Sequence, residues 1–98
     1  MKLLKDIVNN IKFKKLIGND GCFIKKISFK SDECNKDYLF VAIKGHNLDG
    51  HNYINSAISF GATVIMCEVL PINLNEEITY IQVSDTKEAL AKISSNFF

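Results

Sequence analysis

The chain has 98 residues, of which 47% are hydrophobic and 23% charged; that is room for one domain with a core, and it is not the composition of a disordered tail. Twelve basic residues, all lysine, against eleven acidic ones leave a net charge of +1, which argues against a nucleic-acid partner held by phosphate neutralisation. Cys22, Cys34 and Cys67 lack CxxC spacing and read as free thiols of a reducing cytoplasm rather than as a disulfide framework.

In chain order, Leu3, Leu4, Ile7, Val8 and Ile11 fall on one helical face and predict a short amphipathic opening helix. Asp6 within it excludes a signal peptide or a membrane span. "FKKLIG" and "FIKKISF" predict two strands separated by the turn signal "GNDG" at 18–21. Lys12, Lys14, Lys15, Lys25, Lys26 and Lys30 alternate there with Phe13, Ile24, Ile27 and Phe29, as a solvated strand face does. "YLFVAIK" (38–44) predicts a buried strand ended by Gly45. Helical spacing resumes from Asn52 to Phe60, with Gly61 as a left-handed cap.

"TVIMCE" (63–68) predicts the next strand, completing a right-handed βαβ unit. An exposed loop, "VLPINLNEE" (69–77), leads to a strand "ITYIQV" (78–83) and a final helix. Asp85 caps that helix, Glu88 completes a capping-box-like pair, and Ala89, Leu90, Ile93 and Phe97 form its apolar face. The expected fold is therefore α/β: a single small domain with a mixed, mostly parallel sheet, one βαβ unit and flanking helices. The final helix runs straight to the last residue, as in a domain cut from a longer protein.

The loop "GHNLDGHNYI" (45–54) falls at the carboxyl end of a predicted parallel strand, where open α/β sheets bind ligands. Gly45 and Gly50 let the backbone turn or approach a ligand closely, His46 and Asn47 offer donors and acceptors, and Leu48 can lie against a flat ring. A base or sugar suits this set, whereas a bare phosphate would call for Lys or Arg. The alternative is a plain turn and helix cap, with Asp49 bonding backbone N–H groups and His51 capping or packing at the helix start. No cysteine or carboxylate completes a ligand spacing with His46 and His51, so no metal site is assigned. GxxxxGK[ST], GxGxxG and GxSxG are all absent from the sequence, and no catalytic residue is assigned.

"YLFVAIKGHNLDGHNYINSAISFGATVIMCE", followed by "IQVSDTKEALAKISSNFF", resembles the N-terminal domain of the Mur ligase family, whose pattern is approximately GDLFVAxxGxxxDGHxFIxxAxxxGAxxxxxE. The opening "LLKDI…IGN…IKKISFKS" fits the MurE type, with the MurF type a close rival. The resemblance spans essentially the whole chain. It implies that residues 1–98 form the uridine-diphosphate-binding domain of an ATP-dependent, amide-bond-forming ligase. That ligase would add the third amino acid to UDP-N-acetylmuramoyl-alanyl-glutamate in the bacterial cytoplasm, through an acyl phosphate that the incoming amine attacks.

ATP and Mg²⁺ would then belong to domains outside this chain, and this domain would hold no cofactor of its own. Its partners would be the UDP-N-acetylmuramoyl-dipeptide and those missing domains, with neither nucleic acid nor membrane involved. By alignment, the uridine contacts fall on Phe29, Ser31, His46, Asn47 and Leu48. Where the family has Asp-Ser-Arg, this chain has Lys30-Ser31-Asp32, which reverses the charge beside the expected pocket; Asp37-Tyr38 likewise stands in place of Gly-Asp. The rival from another class is an interaction module that keeps the fold without the ligand.

Overall fold

The computed structural model describes residues 1–98. Along the chain, β1 (Lys2–Leu3) leads into α1 (Leu4–Ile7), followed by β2 (Lys15–Ile17), β3 (Phe23–Ile24), β4 (Lys26–Ser28) and β5 (Tyr38–Val41). Then come α2 (Ile54–Ser59), β6 (Val64–Cys67), β7 (Thr79–Gln82) and α3 (Thr86–Phe97). Short 3₁₀ turns occupy Ser31–Glu33 and Gly50–Tyr53.

The sheet order is β2-β7-β6-β5-β4, with β4, β5, β6 and β7 mutually parallel and β2 antiparallel to β7 at the edge. This is the mixed, mostly parallel sheet that the sequence predicts. Strict alternation in the inner strands sends side chains to both faces. Leu39, Val41, Val64, Met66 and Ile81 pack on one side with Leu4 and Ile7 of α1 and Ala89 and Ile93 of α3. Phe40, Ala42, Ile65, Cys67 and Tyr80 pack on the other with Ile54 and Ala57 of α2. Burial on both faces explains why "YLFVAIK" and "TVIMCE" read as continuous apolar runs.

The βαβ unit β5-α2-β6 forms as expected and ends in a Schellman cap. Ala62 N–H donates to Ala57 O and Gly61 N–H to Ile58 O, both at 3.0 Å, with Gly61 at φ +119°.

Three expectations need correction. The opening helix is a single turn, because Asn10 adopts φ +65° and the chain reverses. Leu4, Ile7, Val8 and Ile11 are nonetheless all buried, since one turn plus a tight bend reproduces the i, i+4 apolar spacing. "FIKKISF" is two strands: β3 pairs with β1, while β4 joins the main sheet after Lys25 N–H donates to Asp37 O at 2.8 Å. The capping box is half formed, in that Asp85 Oδ1 accepts from Glu88 N–H at 3.1 Å but the Glu88 carboxylate pairs with Lys92 at 3.0 Å. Glu68 completes the cap from the end of β6, its Oε2 accepting from Thr86 N–H at 2.9 Å and Thr86 Oγ1 at 3.1 Å.

Lys15 on β2 and Lys26 on β4 lie on opposite edges of the sheet, so the lysine-rich strands do not build one continuous cationic stripe. All three thiols are free. Burial pushes Cys34 and Cys67 up to about 11 and raises Cys22, which is half-buried, as well. A thiol that high has a thiolate fraction on the order of one in a thousand at pH 8. A disulfide-exchange reagent is therefore expected to label Cys22 first and Cys34 and Cys67 only as the chain unfolds. Mass spectrometry of the labelled peptides checks this, and prompt modification of Cys67 in folded protein would contradict it.

Candidate functional site

Because β4, β5 and β6 are parallel, their carboxyl ends share one end of the sheet, and the segments that follow them converge there. The loop after β5 is held as a tight reversal. Gly50 N–H donates to Ile43 O and Gly45 N–H to Leu48 O, each at 2.8 Å, and Lys44 pairs with Asp49 as an isolated bridge. Asp49 caps the 3₁₀ turn that follows, its Oδ1 accepting from His51 N–H at 3.0 Å and standing 2.7 Å from His51 Nδ1. The His51 backbone N–H, and after it the His51 ring, hold the Asp49 carboxyl below its ordinary range. His51 Nε2 accepts from Glu68 N–H at 2.9 Å and Val69 N–H at 3.3 Å. With both ring nitrogens engaged, His51 is not free to bind a metal alongside His46, and no group of three or more His, Cys, Asp or Glu is gathered as a metal site would need.

Beside the loop lies a cleft of about 620 Å³, floored by Phe40 and Ile43. Of the five residues predicted to contact a ligand, Phe29, Ser31 and Leu48 line it. His46 and Asn47 stand exposed at the loop tip, outside the lining. Lys30 and Asp32 line the cleft as well, so the reversed charge pattern sits at its wall; Lys30 also reaches Glu33 at 3.6 Å across open solvent. Tyr53 and Ser56 complete the wall and were missed. Their i, i+3 spacing was the available signal, since it puts both on one face of the turn and helix that follow the loop.

Phe29 is 55%, Leu48 65% and Tyr53 40% exposed. Three large apolar side chains left uncovered around one concavity are what a flat ligand ring would cover. The Ser31, Ser56 and Tyr53 hydroxyls supply polar edges that can both donate and accept. Lys30 and Asp32 add one charge of each sign to the cleft wall. Gly50 is required by the loop itself: a Cβ there would stand 2.6 Å from Ile43 N, so its close approach is to the backbone just beyond β5 rather than to a ligand.

Residues 23–98 match the family described as "Mur ligase family, catalytic domain". The chain is 40% identical over 95 residues to the UDP-N-acetylmuramoyl-L-alanyl-D-glutamate--2,6-diaminopimelate ligase of Bacteroides fragilis, covering 97% of this chain and 20% of that protein. Identity to the ligase of the same name from Phocaeicola vulgatus is 40% over 98 residues, again 20% of that protein's length. Among solved structures, MurF ligase from Thermotoga maritima in complex with ADP superposes with a TM-score of 0.62 at 30% identity, over 71% of this chain and 16% of that one. A MurF crystal structure from Acinetobacter baumannii gives 0.65 at 32% identity, over 74% and 16%. The chain thus spans about a fifth of the length of the curated relatives it matches.

Proposed function

Because this chain belongs to the Mur ligase family, we propose that it is the domain that anchors the uridine diphosphate end of the substrate in a MurE-type ligase. The observation that carries this reading is the cleft at the carboxyl ends of β4 and β5. Its aromatic and aliphatic rim of Phe29, Tyr53 and Leu48 is interrupted by the Ser31 and Ser56 hydroxyls, a surface that suits a pyrimidine with polar edges. His46 and Asn47, at the loop tip, reach the ribose or diphosphate as the ligand enters. The named relatives at 40% identity are diaminopimelate-adding ligases, which supports the MurE type over the MurF type of the related solved structures.

In this reading the parent protein adds the third amino acid to UDP-N-acetylmuramoyl-L-alanyl-D-glutamate in the cytoplasm. The domain contributes binding energy far from the reacting carboxylate, which orients the substrate without taking part in bond making. ATP and Mg²⁺ belong to the rest of that protein. The chain has no GxxxxGK[ST] loop, which supports placing ATP in that remainder. No helix is long and apolar enough to cross a membrane.

Titration of the ¹⁵N-labelled chain with UDP and with UDP-N-acetylmuramic acid tests the proposal. Saturable shifts are expected at Phe29, Ser31 and Leu48, with His46 and Asn47 following. Phe29→Ala and Leu48→Ala are each expected to weaken UDP about three- to tenfold, the loss of part of an apolar ring contact. An unchanged spectrum at millimolar UDP would leave the interaction-module reading in possession.

A further inference from the structure

His51 lies outside the cleft, with its side chain only 15% exposed, and its ring hydrogen-bonds the site loop to the backbone at the end of β6. Its ring spans from Asp49 Oδ1, 2.7 Å from Nδ1, to the N–H groups of Glu68 and Val69, 2.9 and 3.3 Å from Nε2. A nitrogen that accepts from backbone N–H groups carries no hydrogen, so Nε2 is bare and Nδ1 bears the proton that it donates to Asp49. The far end of the strut is itself anchored: Glu68 O accepts from Gln82 Nε2 at 3.0 Å, and the Glu68 carboxylate is committed to Thr86 at the start of α3. On the loop side, Asp49 precedes Gly50, which is bonded to Ile43 O on the cleft floor.

We propose that His51 is a positioning residue for the nucleotide cleft: a neutral Nδ1–H imidazole strut that fixes loop 43–50 against the end of β6. The inference rests on the nucleotide reading of that cleft. A second proton on the ring would keep the link to Asp49 but set an N–H against two N–H donors, leaving Glu68 and Val69 without their acceptor. The loop would then be released from β6 while its own turn persisted. The charged group facing the ring is Asp49, with Lys44 beside it; Glu68, just after β6, meets the ring through its backbone N–H, its carboxylate being held by Thr86. On the α2 side the neighbours are the neutral Asn52 and Asn55. Ligand affinity therefore depends on the charge of a residue that never touches the ligand.

The test uses the 98-residue chain, ¹⁵N-labelled, with uridine as the probe because uridine carries no phosphate to titrate. Without ligand, ring ¹H–¹⁵N spectra are expected to show the Nδ1–H tautomer of His51. The exchange protection of the Glu68 amide is expected to fall roughly tenfold as the ring protonates. Uridine affinity is expected to fall with the same midpoint. His51→Gln keeps an amide acceptor in place of Nε2 but carries no ring proton, so it should restore most of the uridine affinity that His51→Ala loses, without the pH step that tracks the Glu68 amide. His51→Ala, if folded by circular dichroism, should bind about tenfold more weakly at all pH values.

An Nε2–H tautomer would overturn the proposal. So would uridine affinity that ignores the ring's titration, or a His51→Gln chain that keeps the wild-type pH step. If wild type does not bind uridine at all, the nucleotide reading fails, and the tautomer and Glu68 protection still decide whether the strut exists.

Discussion

Gly61→Ala is expected to lower the stability of this domain by about 3 kcal/mol or more, the sum of backbone strain and a backbone clash. At φ +119° the residue occupies a conformation that side-chain-bearing residues rarely adopt, and the added Cβ would stand 2.6 Å from Lys36 N and 2.7 Å from Asn35 C. Neither contact is with a flexible side chain that can swing aside. The strand of chain that is struck, residues 35–36, runs between the 3₁₀ turn of the cleft wall and β5. Relief by moving Gly61 instead would break the paired bonds from Ala62 to Ala57 and from Gly61 to Ile58 that end α2. For a chain of this size 1 kcal/mol moves Tm by roughly 4–8 °C, so thermal unfolding followed by circular dichroism should show a fall of more than about 12 °C. A Tm within 3 °C of wild type, on the order of the change from a neutral surface substitution, would show that α2 and the 35–36 segment can part at little cost.

Gly50→Ala acts by a different route and is expected to hurt the site more than the fold. Its φ is not in the left-handed range, so no conformational strain arises; the obstacle is Ile43 N at 2.6 Å, Ile43 O at 3.0 Å and Ala42 C at 3.1 Å from the new Cβ. Overpacking of this kind costs about 1–3 kcal/mol. The Gly50 N–H to Ile43 O bond, 2.8 Å in the native loop, must lengthen. Asp49 and the Gly50–Tyr53 turn then move away from the 42–43 backbone, opening the cleft between Leu48 and Tyr53. UDP affinity is expected to drop by tenfold or more at a temperature where the variant remains folded, as measured by calorimetry or chemical-shift titration. Binding within twofold of wild type would show that the loop's seat on Ile43 does not set the cleft.

The inner strands, the βαβ unit and its Gly61 cap were legible because each is specified locally. Strands buried on both faces leave continuous apolar runs, and a left-handed cap leaves a glycine. The partners of the outer strands were not legible. β2 and β4 are close in sequence, with only β3 between them, yet lie at opposite edges of the sheet, and nothing in "FKKLIG" or "FIKKISF" encodes which distant strand each will meet. Asn10 and Asp37, the two non-glycine residues at φ +65°, mark where local reading failed: each reverses or redirects the chain without a glycine to announce it.

The site divides the same way. Asp49 as a cap could be read from its spacing to the following N–H groups, and the resemblance carried Phe29, Ser31 and Leu48, three residues that line the cleft. His51 could be placed at the helix start but not joined to β6, because its acceptor role depends on backbone N–H groups 17 and 18 positions away. Glu68 was hidden for a related reason, since a side chain at the end of one strand caps a helix that begins after the next. Long-range polar links of this kind are created by topology and leave no periodicity in the sequence.

The antiparallel edge has a consequence for how the chain is made. Lys15, Leu16 and Ile17 find their hydrogen-bonding partners in Gln82, Ile81 and Tyr80, so a ribosome delivers the two halves of that ladder more than sixty codons apart. During translation the early segment emerges with an apolar strand and nothing to zip against, and the fold locks only when the late strand arrives. A nascent chain stalled before Thr79 should consequently remain open to proteases at its front end, however well its middle has already assembled.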